Sequence, residues 1–322
     1  MNLKTYKKDF ESYLLNRIPK KEPQKLYEPI RYILQNGGKR IRALLVIFST
    51  ESFGKEKKEA YPAASSIEIF HNFTLLHDDI MDEAEMRRGK ATVHAKWDEN
   101  TAILSGDTML ILAYKMLEEY EGDIYKQLNI LLNKTAVEVC EGQQMDMNFE
   151  SATEIKAEDY LEMIRLKTAV LLGAALKFGG IIAKASQEDL DSIYQFGENL
   201  GIAFQLQDDY LDSFGDPEKF GKRIGGDILD RKKTILFIES LKTASQKDKE
   251  KLLKLFSTKE NSDHLISEVL NIYTNTGAPE RVKKLSEKYT NKAIEALEKT
   301  SIPEHYKEFW KGFAYELMHR NN

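Results

Sequence analysis

Hydrophobic residues recur with the spacing of an amphipathic helix along almost the whole chain. Tyr27, Ile30, Ile33 and Leu34 share one helical face, and the pattern stops at Gly37-Gly38, which predicts a helix end there. Alternation of apolar and polar residues is essentially absent, so the sequence predicts an all-α fold. Further helices are predicted at residues 43–48, from 62 into the segment 78–82, and at 104–117, 128–147, 160–178, 190–211, 228–241, 252–256, 265–273, 282–297 and 306–317.

The most apolar stretch runs from Ala169 to Ala183. Lys177 interrupts this stretch, and we interpret it as a buried core helix that ends at Gly179-Gly180. No segment reaches about 18 uninterrupted apolar residues, so no transmembrane helix is predicted. The N-terminus lacks the apolar core of a signal peptide, and we therefore expect a cytoplasmic protein.

Composition narrows the class of protein further. The chain has 322 residues, 42% of them hydrophobic, and no linker of biased composition, so we expect one domain over residues 1–322. A net charge of -5 argues against a nucleic-acid surface, which needs a basic face. The single cysteine, Cys140, excludes an intrachain disulfide and is expected to be a small buried hydrophobic residue.

Two acidic segments stand out against the apolar pattern. The first acidic cluster is Asp78, Asp79 and Asp82, and the second acidic cluster is Asp208, Asp209 and Asp212. In each cluster the first and last aspartates are four positions apart, so on a helix of about 3.6 residues per turn they lie one above the other. Acidic triplets are also common on solvated helix faces. The repetition of the pattern and the apolar residues before each copy favour a functional site instead.

Unpaired carboxylates in apolar surroundings repel one another unless a cation neutralises them. Carboxylate oxygens suit magnesium, which proteins usually bind through one or two carboxylates together with the phosphates of a substrate. The two acidic clusters therefore predict a site for magnesium and a diphosphate.

Basic residues lie close to these clusters and at helix starts. Lys39, Arg40 and Arg42 follow Gly37-Gly38, where exposed N–H groups and the helix dipole favour an anion. Arg87-Arg88 follows the first acidic cluster, where guanidinium groups can hold phosphate oxygens. Taken singly, such residues are also typical of solvated surfaces or of satisfied core positions, and the same holds for the following: His71, Lys167, Lys222, Lys232 and Lys233.

Together these residues form an ordered set of motifs. The set comprises Gly37-Gly38-Lys39-Arg40-Ile41-Arg42, Asp78 to Asp82 with Arg87-Arg88-Gly89, Glu141-Gly142-Gln143 with Asp146, Lys167-Thr168, Phe204 to Asp212, and Lys222 with Gly225-Gly226-Asp227. In this order it resembles the trans-isoprenyl diphosphate synthases, the head-to-tail enzymes of the polyprenyl synthetase family. The resemblance implies an isoprenoid-synthase-type bundle of antiparallel helices around a central cavity, usually assembled as a homodimer.

The resemblance also implies a reaction and a role for each residue. An allylic diphosphate (dimethylallyl, geranyl or farnesyl) ionises, isopentenyl diphosphate attacks the carbocation, and a proton is lost. The implied ligands of three magnesium ions are Asp78, Asp82 and Asp208, supported by Asp79, Asp209 and Asp212. The implied ligands of the allylic diphosphate are Arg87, Lys167, Thr168, Gln205, Lys222 and Lys232. The implied ligands of isopentenyl diphosphate are Lys39, Arg42, His71 and Arg88. The expected catalytic residues among these are Asp78, Asp82, Asp208, Lys167 and Lys222.

Two alternative functions share parts of this pattern. A class I terpene cyclase has the same fold and the same metal-assisted ionisation, but it binds no second diphosphate and does not need Lys39, Arg42 and Arg88. A non-catalytic subunit of a heteromeric prenyl synthase is expected to have lost an acidic cluster, and both clusters are intact here.

Product length is expected to depend on the residues just before Asp78. Ideal helix geometry places Thr74 closer to the aspartate stripe than Phe73. The resemblance favours Phe73 as the cavity floor, because a single aromatic residue at this position is similar to archaeal-type geranylgeranyl diphosphate synthases. We expect a C20 product, with C15 as the alternative, and Met109 and Leu112 as the next candidates for chain-length control.

Overall fold

The computed structural model describes residues 3–152, 154–216, 224–258 and 262–318. Helices dominate these ranges, so the predicted all-α class is confirmed. In chain order the α-helices are α1 (Leu3–Arg17), α2 (Gln24–Gln35), α3 (Ile41–Ser52), α4 (Tyr61–Met81), α5 (Val93–Lys96), α6 (Glu99–Leu117), α7 (Gly122–Ser151), α8 (Ala157–Ile164), α9 (Val170–Ile182), α10 (Gln187–Phe214), α11 (Gly226–Leu229), α12 (Ile235–Thr243), α13 (Gln246–Ser257), α14 (Asp263–Asn275), α15 (Ala278–Glu298) and α16 (Glu304–Met318). A 3₁₀ turn (Lys57–Ala60) precedes α4, and a π-helical turn (Arg165–Ala169) joins α8 to α9.

A short β-hairpin interrupts the helical pattern. Strands β1 (Met86–Arg87) and β2 (Lys90–Ala91) pair antiparallel, and Arg88 and Gly89 connect them with φ values of 54° and 74°. Positive φ at both central residues is the property of a type I′ turn, whose twist matches that of the flanking strands. The sequence did not predict this hairpin, because two-residue strands are too short to show alternation.

The chain divides into two compact units, Met1–Asn133 with Ala174–Leu190, and Lys134–Gly173 with Asp191–Asn322. In the first unit, α4 packs against α3 and α6 and is buried along most of its length. Pro62 lies in the first turn of α4, where a missing N–H is tolerated. The His77 side chain of α4 lies against Gly106 of α6, where a Cβ would lie 2.3 Å from His77 Nε2.

The glycine pair Gly179-Gly180 does not end α9, which continues to Ile182. A Cβ on Gly179 would lie 2.5 Å from the Ser49 Cβ, and Ser49 Oγ donates to the Leu176 carbonyl at 2.6 Å. The prediction of a buried core helix is confirmed, but the predicted end is wrong. Here glycine serves close packing between α9 and α3 instead of helix termination.

The second unit has its own apolar core, built from α8, α10, α12, α14 and α15. Its buried members include Tyr160, Leu206, Phe237, Val269 and Tyr273. The single helix predicted for 228–241 is in fact two, α11 and α12. Between them Arg231 has a φ of 60°.

Two further expectations can be compared with the described residues. Cys140 is exposed, so its predicted burial is wrong. It lies on the solvent-facing side of α7, a position that the apolar character of cysteine does not reveal. Within the described ranges, every helix is too short or too polar to cross a membrane.

Candidate active site

The first acidic cluster lies at the C-terminal end of α4. Asp79 is buried, Asp78 is half-buried and Asp82 is exposed. Asp82 caps the helix, with its backbone N–H donating to the Asp78 carbonyl at 2.9 Å. A helix C-terminus carries a partial negative charge, so three carboxylates there are unfavourable unless cations lie close.

Arg87 pairs with this cluster from the β-hairpin. Its Nε donates to Asp79 Oδ1 at 2.6 Å and its Nη2 to Asp78 Oδ2 at 3.3 Å. Burial raises the pKa of Asp79, and the Arg87 guanidinium opposes that rise. Arg87 therefore lies at the edge of the first acidic cluster, within reach of any anion bound beside it.

Arg88 contacts a different group, although it is the next residue in the chain. It lies in the hairpin turn, and its Nη1 donates to the Gly37 carbonyl at 2.7 Å. A Cβ at Gly38, where φ is 127°, would lie 2.7 Å from the same nitrogen. Glycine at position 38 thus lets the loop before α3 approach the Arg88 guanidinium.

Arg42 and His71 lie together in the first unit, with Arg42 Nη1 3.2 Å from His71 Nε2. Burial lowers the pKa of Arg42 to about 10. Burial, together with the positive charges of Arg42 and Arg88, lowers the pKa of His71 well below its usual value. His71 is therefore neutral at pH 7, and its Nε2 accepts a hydrogen bond from Arg42.

We call Lys39, Arg42, His71 and Arg88 the basic cluster. Arg42 Nε is buried and has no hydrogen-bond partner within the described part of the chain. An unpaired buried donor is costly, and an anion bound at the basic cluster would satisfy it. Lys39 is exposed, directly before the start of α3.

Arg40 has a structural role between these ligand candidates. It is 4% exposed, and its backbone is in the left-handed region with a φ of 54°. Its Nη1 donates to Glu68 Oε1 at 2.8 Å, its Nε to Glu11 Oε1 at 3.1 Å, and its Nη2 to the Leu34 carbonyl. All three guanidinium nitrogens are thus engaged by the protein. The buried Glu68 also attracts Arg42, which opposes the effect of burial on the pKa of that arginine.

The second acidic cluster lies on the last two turns of α10. Asp209 is buried; Tyr160 OH donates to its Oδ2 at 2.5 Å and Gln205 Nε2 to its Oδ1 at 3.0 Å. Burial, and then the charge of Asp227, raise the pKa of Asp209 well above its usual value. Gln205, predicted as a diphosphate ligand, thus contacts the cluster itself.

The loop after α10 returns to Asp212. Gly225 N–H donates to the Asp212 carbonyl at 2.7 Å, and Asp227 N–H donates to Asp212 Oδ2 at 3.0 Å. A Cβ on Gly226 would lie 3.0 Å from Asp212 Oδ1, so glycine permits this approach. Burial and the neighbouring Asp212 raise the pKa of Asp227 to about 7. Asp227 is thereby a fourth carboxylate of the second acidic cluster.

Lys167 and Thr168 lie on the π-helical turn between α8 and α9. Lys167 Nζ donates to Asp146 Oδ2 of α7 at 2.6 Å. Both Lys167 and Thr168 are half-buried. Single π-helical turns inside α-helices are frequent at functional sites.

The adjacent Lys232 and Lys233 differ in environment. Lys233 Nζ donates to the carbonyls of Phe149, Glu150 and Ala152 at 3.1, 2.9 and 2.7 Å. It neutralises the C-terminal end of α7, which is a structural role. Lys232 is exposed, and its charge opposes the rise in the pKa of Asp227. Lys222 lies outside the described residues.

Phe73 and Thr74 lie side by side on α4 with different surroundings. Phe73 is 8% exposed, and its ring packs 4.8 Å from His77 and 5.6 Å from Phe70. Thr74 Oγ1 donates to the backbone carbonyl of His71 at 2.8 Å. Met109 and Leu112 are buried on α6.

The donor set fits magnesium that shares its coordination with a substrate. Among the described residues, no three His, Cys, Asp or Glu side chains are arranged to hold a metal ion on their own. The candidate donors are oxygen atoms, which magnesium prefers, and magnesium needs few protein ligands when phosphates and waters complete its shell. Burial, and then the negative charge of neighbouring aspartates, raise the pKa values of Asp209 and Asp227, and a bound divalent cation would oppose both effects.

Two residues, Glu68 and Tyr160, were not singled out from the sequence, and Asp227 was named in a motif without a role. Glu68 carried a weak signal, because it is a charged residue in an otherwise apolar helix. Tyr160 carried none, because a tyrosine at a core position of a helix is ordinary. Its contact with Asp209 depends on how α8 packs within the second unit.

Comparison with known proteins identifies the class. The model of the family described as "Polyprenyl synthetase" matches residues 23–273. The short chain isoprenyl diphosphate synthase of Methanothermobacter thermautotrophicus is 34% identical over 297 residues, which cover 92% of this chain and 91% of that protein. The chain belongs to the polyprenyl synthetase family and is thus a trans-prenyltransferase, so the predicted family is confirmed.

Solved structures agree on the fold. A crystal structure of a geranylgeranyl pyrophosphate synthase superimposes with a TM-score of 0.95 at 44% identity and covers 100% of both chains. The geranylgeranyl pyrophosphate synthase of Corynebacterium glutamicum, complexed with isoprenyl diphosphate and magnesium, has a TM-score of 0.87 at 26% identity and covers 99% of this chain and 100% of its own. The predicted isoprenoid-synthase-type fold is confirmed.

The Arg40–Glu68 pair yields a prediction on stability. Glu68→Ala should lower the free energy of unfolding by about 3–5 kcal/mol, because it removes the buried counter-charge of the Arg40 guanidinium and leaves only the partly exposed Glu11. Glu11→Ala is the matched control; Glu11 is 28% exposed in its side chain, and its loss should cost about 1 kcal/mol or less. Urea denaturation followed by circular dichroism measures both. Equal losses would show that burial does not determine the strength of the pair.

Proposed function

We propose that the chain is a geranylgeranyl diphosphate synthase that condenses isopentenyl diphosphate with an allylic diphosphate, head to tail. The observation that carries this proposal is the pairing of carboxylate clusters with a separate basic cluster. Carboxylate clusters suit a diphosphate bound through metal ions, whereas the basic cluster suits a diphosphate bound without metal. A class I terpene cyclase has one diphosphate to bind and no use for the basic cluster.

The acidic clusters would hold three magnesium ions on the allylic diphosphate. Asp78, Asp82 and Asp208 are the proposed ligands, with Asp79, Asp209 and Asp212 supporting them. Bound magnesium supplies positive charge that stabilises the diphosphate as it leaves. The magnesium in the Corynebacterium glutamicum structure supports this assignment.

The allylic diphosphate would be held by residues beside the acidic clusters. Arg87 is bonded to Asp78 and Asp79, so its guanidinium lies where it can also bind an adjacent phosphate. Lys232 contributes charge close to Asp227. The remaining proposed ligands are Lys167, Thr168, Gln205 and Lys222.

Isopentenyl diphosphate would bind at the basic cluster. Arg42 and Arg88 provide planar guanidinium groups, and Lys39 provides a mobile ammonium. His71 is neutral and hydrogen-bonded to Arg42, so it orients that arginine without adding charge. Apolar walls would exclude water from the allylic cation. The departing diphosphate can accept the proton, so no side chain is required as a base.

Two broader properties belong to the proposal. We infer a homodimer, because α6 exposes Leu104 and Ile111, two helical turns apart, and α7 exposes Ile130. Their exposed fractions are 59%, 66% and 58%, which is unusual for three apolar residues on neighbouring helices. We also infer a cytoplasmic enzyme, since its substrates are charged diphosphates.

Asp78→Ala or Asp208→Ala should lower turnover by about 10²-fold or more, since each removes a proposed metal ligand. Magnesium-dependent incorporation of labelled isopentenyl diphosphate measures this. Folding should change little, because the Asp78–Arg87 ion pair is partly exposed and because removal of either carboxylate relieves repulsion from its neighbours when no metal is bound. Glu295→Ala on α15, an exposed carboxylate, is the control and should retain full activity. Near-normal turnover at saturating magnesium would exclude the metal-ligand assignment.

Substitution of the two adjacent arginines should separate the two substrates. Arg88→Ala should raise the KM for isopentenyl diphosphate by about tenfold and the KM for geranyl diphosphate much less, because one charged hydrogen bond is lost. Arg87→Ala should show the opposite preference. Steady-state kinetics with each substrate varied in turn decide the matter, and equal effects on both substrates would contradict the division.

Phe73→Ala should lengthen the product, because removing a buried ring next to His77 opens space below the first acidic cluster. Chromatography of the dephosphorylated products gives the chain length, with C20 expected from the unaltered protein. Thr74→Ala is the control and should leave the product unchanged, since its hydroxyl is satisfied within the helix. An unchanged distribution of product lengths for Phe73→Ala would mean that another residue determines chain length, with Met109 and Leu112 as the first candidates.

Ile111→Asp should convert the dimer to a monomer, because a charge placed in an apolar interface is left desolvated. Light scattering coupled to size-exclusion chromatography measures the mass. Leu253→Asp, an exposed apolar residue of α13 with 47% exposure, is the matched control and should leave the dimer intact. A monomeric unaltered protein, or an unchanged mass for Ile111→Asp, would refute the interface.

A further inference from the structure

The π-helical turn that carries Lys167 and Thr168 is contacted by two glycines from neighbouring helices of the second unit. A Cβ on Gly142 of α7 would lie 2.3 Å from the Lys167 backbone nitrogen and 2.7 Å from the Leu166 carbonyl carbon. A Cβ on Gly201 of α10 would lie 2.6 Å from the Ala169 Cα. Both contacts are with backbone atoms or Cβ, so a flexible side chain cannot relieve them.

The turn itself departs from α-helical geometry. The Val170 N–H donates to the Arg165 carbonyl, which is the i to i+5 bond of a π-helix. The extra residue changes the direction in which the side chains of this turn project. Gly142 and Gly201 thus contact the turn on each flank of Thr168.

α7 also contacts the end of the Lys167 side chain. Asp146 lies four residues after Gly142, hence on the same face of α7, and its Oδ2 accepts from Lys167 Nζ at 2.6 Å. One helix face therefore touches Lys167 at both ends, at the backbone nitrogen through Gly142 and at the ammonium through Asp146. Glycine weakens a helix relative to alanine, and at Gly142 a side chain is excluded by distance.

We propose that Gly142 is a positioning residue for Lys167, and that Gly201 positions the same π-helical turn at Ala169. By bringing α7 against the backbone of the turn, Gly142 sets where the Lys167 ammonium can meet a phosphate oxygen. This inference rests on the proposed function, in which Lys167 binds the allylic diphosphate. Gly142, which has no side chain, would thus affect the binding of the allylic diphosphate and not that of isopentenyl diphosphate.

The test is steady-state kinetics with geranyl diphosphate and isopentenyl diphosphate varied separately. Gly142→Ala should raise the KM for geranyl diphosphate about tenfold, the loss of one charged hydrogen bond, and the KM for isopentenyl diphosphate less than about twofold. Gly201→Ala should act in the same direction. Gly312→Ala in α16 is the matched control, because a Cβ there has nothing within 4 Å, and its KM values should equal those of the unaltered protein.

A double-mutant cycle separates positioning from general damage. If Gly142 acts through Lys167, Gly142→Ala should have no further effect on the KM for geranyl diphosphate in the Lys167→Ala background. Additive effects, or equal rises in both KM values, would overturn the inference. If circular dichroism shows that Gly142→Ala does not fold, the same cycle is measured with Gly201→Ala in its place. Failure of both to fold would make the glycines packing residues only and would also overturn the inference.

The cycle also distinguishes this inference from the proposed function. Absence of prenyl transfer by the unaltered protein would reject the function itself. An unchanged KM for geranyl diphosphate in Lys167→Ala would reject the role of Lys167, and the positioning role with it. A raised KM in Lys167→Ala with an unchanged value in Gly142→Ala would reject the positioning role alone.

Discussion

Neutralisation of buried carboxylates is the constraint on which the rest of the site depends. Asp79 and Asp209 occupy equivalent places in their motifs, and both are 3% exposed. Asp79 meets the constraint with a guanidinium at 2.6 Å, whereas Asp209 has only the neutral donors Tyr160 and Gln205. Burial and the charge of Asp227 raise the pKa of Asp209 strongly, and the two hydrogen bonds oppose that rise less than an opposite charge would. The second acidic cluster therefore has the greater need for added cations.

The arginines of the first unit are subject to the same constraint, because their buried positive charges also need neutralisation. Four of them lie near His71, and burial together with their charges lowers the pKa of that imidazole and keeps it neutral. Glu68 is the buried carboxylate that offsets this positive charge, and it bonds directly to Arg40. Arg40 is thereby committed to the fold, which leaves Arg42 and Arg88 available for an anion. A site for a metal-free diphosphate needs such an excess of cations, together with a structural anion that keeps the unliganded protein stable.

Local patterns predicted the elements well where one face of a helix is buried. The presence of α2 and α3, the course of α4 into the first acidic cluster, and the long helices α6, α7 and α10 all follow from periodicity, although α3 extends from Ile41 to Ser52, beyond the predicted 43–48. The predictions were wrong where a glycine or cysteine has a structural role other than the most common one for its residue type. Gly179 packs against Ser49 instead of ending α9, and Cys140 is exposed. The β-hairpin that presents Arg87 was missed because its strands are two residues long.

The sequence by itself determined the helical class and the two acidic clusters, because these depend on spacings of a few residues along one helix. It also indicated the family, through the resemblance of its ordered set of motifs. The tertiary structure decided which groups each member of an adjacent pair of cations contacts. Lys233 caps α7 while Lys232 faces outward, and Arg87 joins the aspartates while Arg88 joins the Gly37 loop. The physical reason is that the deciding partners, such as Gly37 for Arg88 and Ala152 for Lys233, are remote in the chain. Local periodicity carries no information on which backbone carbonyl a folded chain will bring to a given ammonium or guanidinium group.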